Sequence, residues 1–198
     1  MQLLKDSTPG WVFFVNINRK NKAEKVTVDR MVGRTGVDSG AAKFITRAVA
    51  VLGGMAAIVI ALILQLVAAT GARVGLSATY LLLAVTPAAT EEPLKQLGVL
   101  IVALKQPRWI RTKRDGLAVG ALAGLSFGVA ESLFYVIGGA GVERILSICM
   151  HIGASAVGGL GMFYASKRKY MSMLGWLGLA VVIHFLWNYI AITIAFVL

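Results

Sequence analysis

Long apolar segments dominate the chain after about residue 47 and constrain its fold more than any other feature. Hydrophobic residues make up 58% of the 198 positions, a composition typical of membrane proteins. Five segments are long enough to cross the hydrocarbon core of a bilayer. The predicted spans are Phe44–Ala69, Leu76–Leu104, Gly116–Ile137, Glu143–Ala165 and Met173–Val197. The sequence therefore predicts an all-α membrane protein, a bundle of about five transmembrane helices.

The basic residues predict the orientation of this bundle. The net charge is +11, and Lys and Arg cluster before Phe44, in Lys105–Arg114 and in Lys167–Lys169, whereas the opposite connections offer Arg73 and Arg144. Cytoplasmic loops carry an excess of Lys and Arg. With five crossings all the basic segments fall on one side, so we predict a cytoplasmic N-terminus and an external C-terminus. Because this topology accounts for the positive charge, we expect the lipid bilayer as a partner and no nucleic acid.

The segment before the first span is polar and basic. We divide the chain into a cytoplasmic N-terminal segment, residues 1–42, and a transmembrane domain, residues 43–198. Trp11–Ile17 and Lys25–Met31 have the composition of short strands, which predicts a small β-hairpin. A basic, partly ordered tail is the alternative.

The stretch Thr86–Lys95 (TPAATEEPLK) places charge in the middle of the second span. An ionisable side chain at that depth costs about 2.5–3.5 kcal/mol, and Glu91, Glu92 and Lys95 lie within five residues of one another. Pro87 and Pro93 each lack the backbone N–H that a continuous helix would use as a donor. We therefore predict that the second span is a kinked helix. Such helices are tolerated where they are buried in protein or line a watery cavity. This stretch is predicted to form the floor of an active site.

Three later spans add polar groups. The third carries glycines at positions 116, 120, 124 and 128, a spacing that lets a neighbouring helix approach closely, with Phe127 and Glu131 on or beside that face. The fourth contains His151, and the fifth contains His184 and Asn188. A helical rise of about 1.5 Å per residue puts these groups in one band of the bilayer. Singly, each could be a helix-packing or charge-neutralising residue; together they favour a functional polar site.

These motifs resemble those of the PrsW family of bacterial intramembrane proteases, which is grouped with the CAAX prenyl endopeptidases and the CPBP proteins. The family's EExxK motif is matched by Glu91, Glu92 and Lys95, and its FxxxE motif by Phe127 and Glu131. Its histidine motifs are matched by His151 and by His184 with Asn188, and the likeness covers about Leu76–Val197. The resemblance implies hydrolysis of a peptide bond in a membrane-bound substrate, such as an anti-sigma factor, in the bacterial cytoplasmic (inner) membrane.

Peptide hydrolysis needs an activated water and a stabilised oxyanion. Our hypothesis makes Glu91 or Glu92 the base that activates the water, assisted by His151. His184 and Asn188 would hold the oxyanion or the water.

The remaining residues have supporting roles in this hypothesis. Glu131 would orient a histidine, and Lys95 favours the ionised form of Glu91. In a metal-dependent variant, Glu92, His151 and His184 supply three ligands to Zn²⁺ and leave a fourth position for water. No HExxH spacing is present to favour zinc, so both variants stay open.

Two other classes of protein fit the same features. Ionisable residues that face a broken helix also occur in proton-coupled transporters, although no inverted repeat is evident here. A non-catalytic membrane scaffold with a protease-like fold would need only the glycine ladder. Tolerance of alanine at both glutamates and both histidines would favour the scaffold.

Overall fold

The computed structural model describes residues 39–71, 76–139 and 141–197. These residues form five α-helices and a short 3₁₀ turn, Pro107–Trp109, and contain no strand. The helices are α1 (Ser39–Gly71), α2 (Leu76–Lys105), α3 (Lys113–Ile137), α4 (Arg144–Ser166) and α5 (Tyr170–Val197). The all-helical prediction is confirmed for this part of the chain. The predicted hairpin lies outside the described residues.

Four of these helices are long and apolar enough to cross a membrane. The candidate spans are Gly40–Leu66, Lys113–Ile137, Arg144–Ser166 and Tyr170–Ile194. Helix α2, with 30 residues, is longer than α3, α4 and α5. Its central part, however, contains Glu91, Glu92 and Lys95, which lower its hydropathy. The chain is thus a multi-pass membrane protein, and the fifth span remains a prediction that depends on α2.

Helix α2 runs through both of its prolines without interruption in its secondary structure. A proline removes one backbone donor and weakens the helix around it. The hydroxyl of Thr90, between the two prolines, donates to the carbonyl oxygens of Thr86 and Pro87 at 2.8 and 3.2 Å. The helix is therefore continuous at its charged centre, and the kink stays a prediction.

Glycines allow α3 and α4 to pack with their backbones almost in contact. A Cβ atom added at Gly120 would lie 2.2 Å from the carbonyl oxygen of Ser155, and one at Gly124 would lie 2.2 Å from that of His151. Such distances are far shorter than any van der Waals contact, so the glycine ladder of α3 sets the separation of the two helices. The backbone of α4 that carries His151 is positioned by this contact.

The distribution of side chains is inverted relative to a water-soluble protein. Large apolar side chains lie on the outside, for example Phe44 (72% exposed) and Ile137 (86% exposed). The largest fully buried side chains include Lys95, His151 and His184. Apolar groups outside are stable when lipid covers them. Buried ionisable groups instead require partners within the bundle.

Candidate active site

Glu92 connects three helices through its two carboxylate oxygens. Its Oε1 accepts from Lys95 Nζ at 2.8 Å and from His184 Nδ1 at 3.0 Å. Its Oε2 accepts from the hydroxyl of Ser155 at 2.9 Å. Both oxygens of this fully buried carboxylate therefore have donors from the protein. Glu92 joins α2 to α4 and α5.

Lys95 lies one turn along α2 and is also fully buried. Its Nζ is 2.8 Å from His151 Nδ1 and 3.4 Å from Glu91 Oε2, and it lies 4.1 Å from the centre of the Phe127 ring. Opposite charges and an aromatic face together compensate for the burial of an ammonium group. Phe127 thus contributes to the site through the lysine.

The partners of His151 define its tautomer. An ammonium group has no lone pair to accept a hydrogen bond, so His151 Nδ1 is the acceptor of the Lys95 contact. The proton of the neutral ring is then on Nε2, which donates to Glu131 Oε2 at 3.0 Å. The same oxygen accepts from Arg144, whose guanidinium also lies 4.1 Å from the Tyr135 ring. Glu131 therefore orients His151 from one side and is itself held by Arg144.

Glu91 is arranged differently from Glu92. Its Oε1 accepts from the side-chain amide of Gln65 on α1 at 2.8 Å. Its Oε2 is buried and has no hydrogen-bond partner, although it forms a longer ion pair with Lys95 Nζ at 3.4 Å and lies 3.8 Å from His184 Nε2. A buried carboxylate oxygen without a donor is unfavourable unless another group occupies the space beside it. Glu91 Oε2 is therefore a buried carboxylate oxygen of this site without a hydrogen-bond donor, and we call it the free oxygen of Glu91.

A cavity of about 200 Å³ adjoins Glu91, His151 and His184. Its polar lining also includes Gln65, Glu131 and Arg144, and its apolar lining includes Leu83, Trp187 and Ile192. These residues belong to the helix halves remote from the basic segment Lys105–Arg114. The cavity is thus a mixed polar and apolar space large enough for several water molecules.

Asn188 also lines the cavity but contacts a different group. Its side-chain amide donates to the carbonyl oxygen of Ala84 on α2, at 3.4 Å. This is a long hydrogen bond. Asn188 lies one helical turn from His184 and forms no hydrogen bond with Glu91 or Glu92.

The structure brings together the residues that the sequence motifs indicated. Seven of them form one connected cluster, namely Glu91, Glu92, Lys95, Phe127, Glu131, His151 and His184. Sequence reasoning missed Gln65 and Arg144 as members and did not give Ser155 a role. Gln65 stands out in retrospect as a lone amide in an apolar segment, whereas Arg144 resembles an ordinary loop charge.

Three of the clustered residues could together hold a metal ion. Glu91, His151 and His184 each offer a ligand atom, and these atoms lie within 4.8 Å of one another. In known metal sites each histidine donates its second ring N–H to a carboxylate or carbonyl. Here His184 Nδ1 faces Glu92, and His151 Nε2 faces Glu131. Together with the free oxygen of Glu91, this pattern is that of a metal site, except that the ligand nitrogen left on His151, Nδ1, contacts Lys95 Nζ at 2.8 Å in this structure.

The predicted ligand set differs from this cluster in one residue. The prediction used Glu92 as the carboxylate ligand, whereas the structure groups Glu91 with the two histidines. Glu92 has donors on both oxygens, from Lys95, His184 and Ser155. We therefore assign Glu91 to the candidate ligand set.

A multi-pass helical bundle that buries a cluster of glutamates and histidines beside a cavity has the features of an intramembrane hydrolase. The chain belongs to the PrsW family of intramembrane metalloproteases, whose sequence profile matches residues 43–198. The family resemblance of the motifs is thereby confirmed. No curated protein and no solved structure matches the chain.

Proposed function

We propose that this protein is an endopeptidase that hydrolyses a peptide bond of a membrane-bound protein, with Glu91 in contact with the reacting water or metal. The family supports an intramembrane protease in general. The observation that supports the choice of Glu91 is its buried Oε2, which has no hydrogen-bond partner, on a residue that lines the cavity together with both histidines. Glu92 has no such free oxygen.

In the metal-free variant, Glu91 is the general base. Its Oε2 takes a proton from a water in the cavity as the water oxygen attacks the carbonyl carbon of the substrate. The carbon–nitrogen bond then breaks, and the same proton passes from Glu91 to the leaving amine. A positioned acid or base of this kind contributes about 10²–10⁴-fold to a rate.

The oxyanion that forms in this reaction requires hydrogen-bond donors. His184 and Asn188 both line the cavity. The long bond from Asn188 to Ala84 leaves its amide able to turn towards a substrate oxygen. We assign the stabilisation of the oxyanion to these two residues.

Glu92 is proposed to organise the site. It holds Lys95, His184 and Ser155 in place at the same time. Through Lys95 it also fixes His151, whose Nδ1 accepts from the ammonium. Its replacement should affect catalysis by displacing these groups, since Glu92 is not among the residues that line the cavity.

In the metal-dependent variant, Glu91, His151 and His184 would hold the ion. A bound Zn²⁺ would polarise the substrate carbonyl and lower the pKa of a bound water. Lys95 constrains this variant, because its ammonium occupies the lone pair of His151 Nδ1. A metal ion and the Lys95 ammonium would therefore compete for His151 Nδ1. Glu91 would then be a ligand.

The topology of the site suggests where substrates bind. The cavity lies in the helix halves away from Lys105–Arg114 and Lys167–Lys169. If these basic segments are cytoplasmic, as the positive-inside rule predicts, the cavity opens in the external half of the bilayer. We propose a bacterial cytoplasmic-membrane protein that cleaves a single-pass substrate, for example an anti-sigma factor, near its external end.

A comparison of protein N-termini in membranes tests this proposal without a known substrate. Cells that make the wild-type chain are compared with cells that make Glu91→Gln. A matched control is Glu143→Gln, the same chemical change at an exposed residue outside the cluster. New N-termini should appear with the wild type and the control and be lost with Glu91→Gln. Identical sets in all three would favour the scaffold alternative. Metal analysis of the purified wild type separates the two variants of the mechanism.

A further inference from the structure

We infer that Gln65 is a positioning residue that determines which oxygen of Glu91 acts, an inference that rests on the proposed function of Glu91. The Gln65 amide Nε2 donates to Glu91 Oε1 at 2.8 Å. Gln65 belongs to α1 and Glu91 to α2, 26 residues further along the chain. The bond therefore joins α1, which carries no motif residue, to the candidate active site.

Gln65 is a polar residue in an apolar segment of α1. Its neighbours on α1 include Leu62, Leu64 and Leu66, which are all exposed on the outside of the bundle. An amide within such an apolar segment is unfavourable unless it has a partner. Gln65 is partly buried, lines the cavity and finds that partner in Glu91.

The hydrogen bond has a consequence for the free oxygen of Glu91. The terminal torsion of a glutamate side chain is soft, so the carboxylate can rotate and exchange its two oxygens. A donor on Oε1 fixes the plane and leaves Oε2 beside His184 Nε2 at 3.8 Å and Lys95 Nζ at 3.4 Å. Because an amide is uncharged, Gln65 provides this orientation without changing the charge of the site.

Gln65→Met tests the inference, because methionine is similar in shape and cannot donate. Misplacement of a reacting group by about 1 Å costs about 10²-fold in rate. We expect kcat on the cleaved protein substrate to fall about 10²-fold with little change in KM. If the ion is bound, zinc affinity should fall about 10–100-fold, as when other hydrogen-bond partners of metal ligands are lost. The control is Thr46→Val, which removes a buried hydroxyl of α1 that bonds to Ala42 within the same helix.

A thermal double-mutant cycle keeps this test independent of activity. It compares Gln65→Met, Glu91→Met and the double variant in the full-length protein in detergent. If the two side chains interact, their shifts in Tm are not additive. The inference would be overturned if Gln65→Met kept the kcat and the zinc affinity of the wild type. Additive shifts in Tm in the cycle would also overturn it. If the wild type cleaves nothing, the proposed function fails, while a non-additive cycle still supports the Gln65–Glu91 pairing.

Discussion

Lys95 and His151, 56 residues apart in the sequence, lie with Nζ 2.8 Å from Nδ1 in the centre of the bundle. The same ammonium is 2.8 Å from Glu92 and 3.4 Å from Glu91. One buried cation thus pairs with two carboxylates and defines the tautomer of a histidine. The EExxK motif and the first histidine motif are joined through the lysine.

We expect Lys95→Met to destabilise the protein severely. Removal of one partner from a buried ion pair costs about 3–5 kcal/mol, because the other charge is left without compensation. Here two carboxylates would lose their common partner. Thermal unfolding in detergent should show a large decrease in Tm relative to the wild type. The control Lys113→Met, an exposed lysine of α3, should change Tm little, and equal Tm values for all three proteins would contradict this account of Lys95.

The close packing of α3 against α4 predicts that one methyl group added at the contact lowers both stability and activity. Gly124→Ala would place a Cβ 2.2 Å from the carbonyl oxygen of His151, so α4 must move. Overpacking of this kind costs about 1–3 kcal/mol and would displace His151 from Glu131 and Lys95. We expect lower Tm and lower kcat.

Gly153→Ala is the matched control for this prediction. A Cβ at Gly153 meets no atom within 4 Å, and alanine favours helix more than glycine does. We expect its Tm to be equal to or above that of the wild type. The packing account is wrong if both alanine variants behave alike.

Arg144 is predicted to support catalysis through Glu131. Its guanidinium pairs with Glu131 Oε2, which also accepts from His151. Arg144→Met should reduce kcat about 10–100-fold, the effect of losing an outer partner of an active-site histidine. The control Arg114→Met removes an exposed arginine at the opposite end of α3. The kcat of each variant is measured on the protein substrate, and only Arg144→Met should show the decrease. An unchanged kcat in Arg144→Met would mean that Arg144 does not support catalysis.

Much of this architecture could be predicted from the sequence for physical reasons. Glu91, Glu92 and Lys95 are too costly in a membrane span to occur without partners, and those partners are found on α4 and α5. The glycine spacing of four predicted the close approach of α3 to its neighbour.

Other features depend on three-dimensional geometry that spacing along the chain does not contain. The sequence left the general base open between Glu91 and Glu92 and proposed Glu92 as the metal ligand. Their surroundings in the structure differ because one faces Gln65 and the other Ser155. Arg144 was assigned to an external loop, yet its long side chain reaches Glu131. Side-chain reach and rotamer choice decide such contacts.

The orientation of the bundle can be tested with thiol labelling. Cys149 is the only cysteine, so a Cys149→Ser background allows single cysteines to be placed at Arg108 and Gly141. With the N-terminus in the cytoplasm, a membrane-impermeant reagent added to intact cells should label the cysteine at 141 and not the one at 108. The reverse pattern would contradict the predicted topology, either because the bundle is inverted or because α2 does not cross the membrane. Labelling of both cysteines would contradict a membrane-crossing α3, because that is the long helix between the two positions.

The most direct test is the cleavage rate of one identified substrate in proteoliposomes that contain purified protein. Wild type and Glu143→Gln should cleave at equal rates, whereas Glu91→Gln should lose at least about 10²-fold in kcat, the smallest effect expected for a lost general base. Cleavage by Glu91→Gln at the wild-type rate would contradict the claim that Glu91 contacts the reacting atoms.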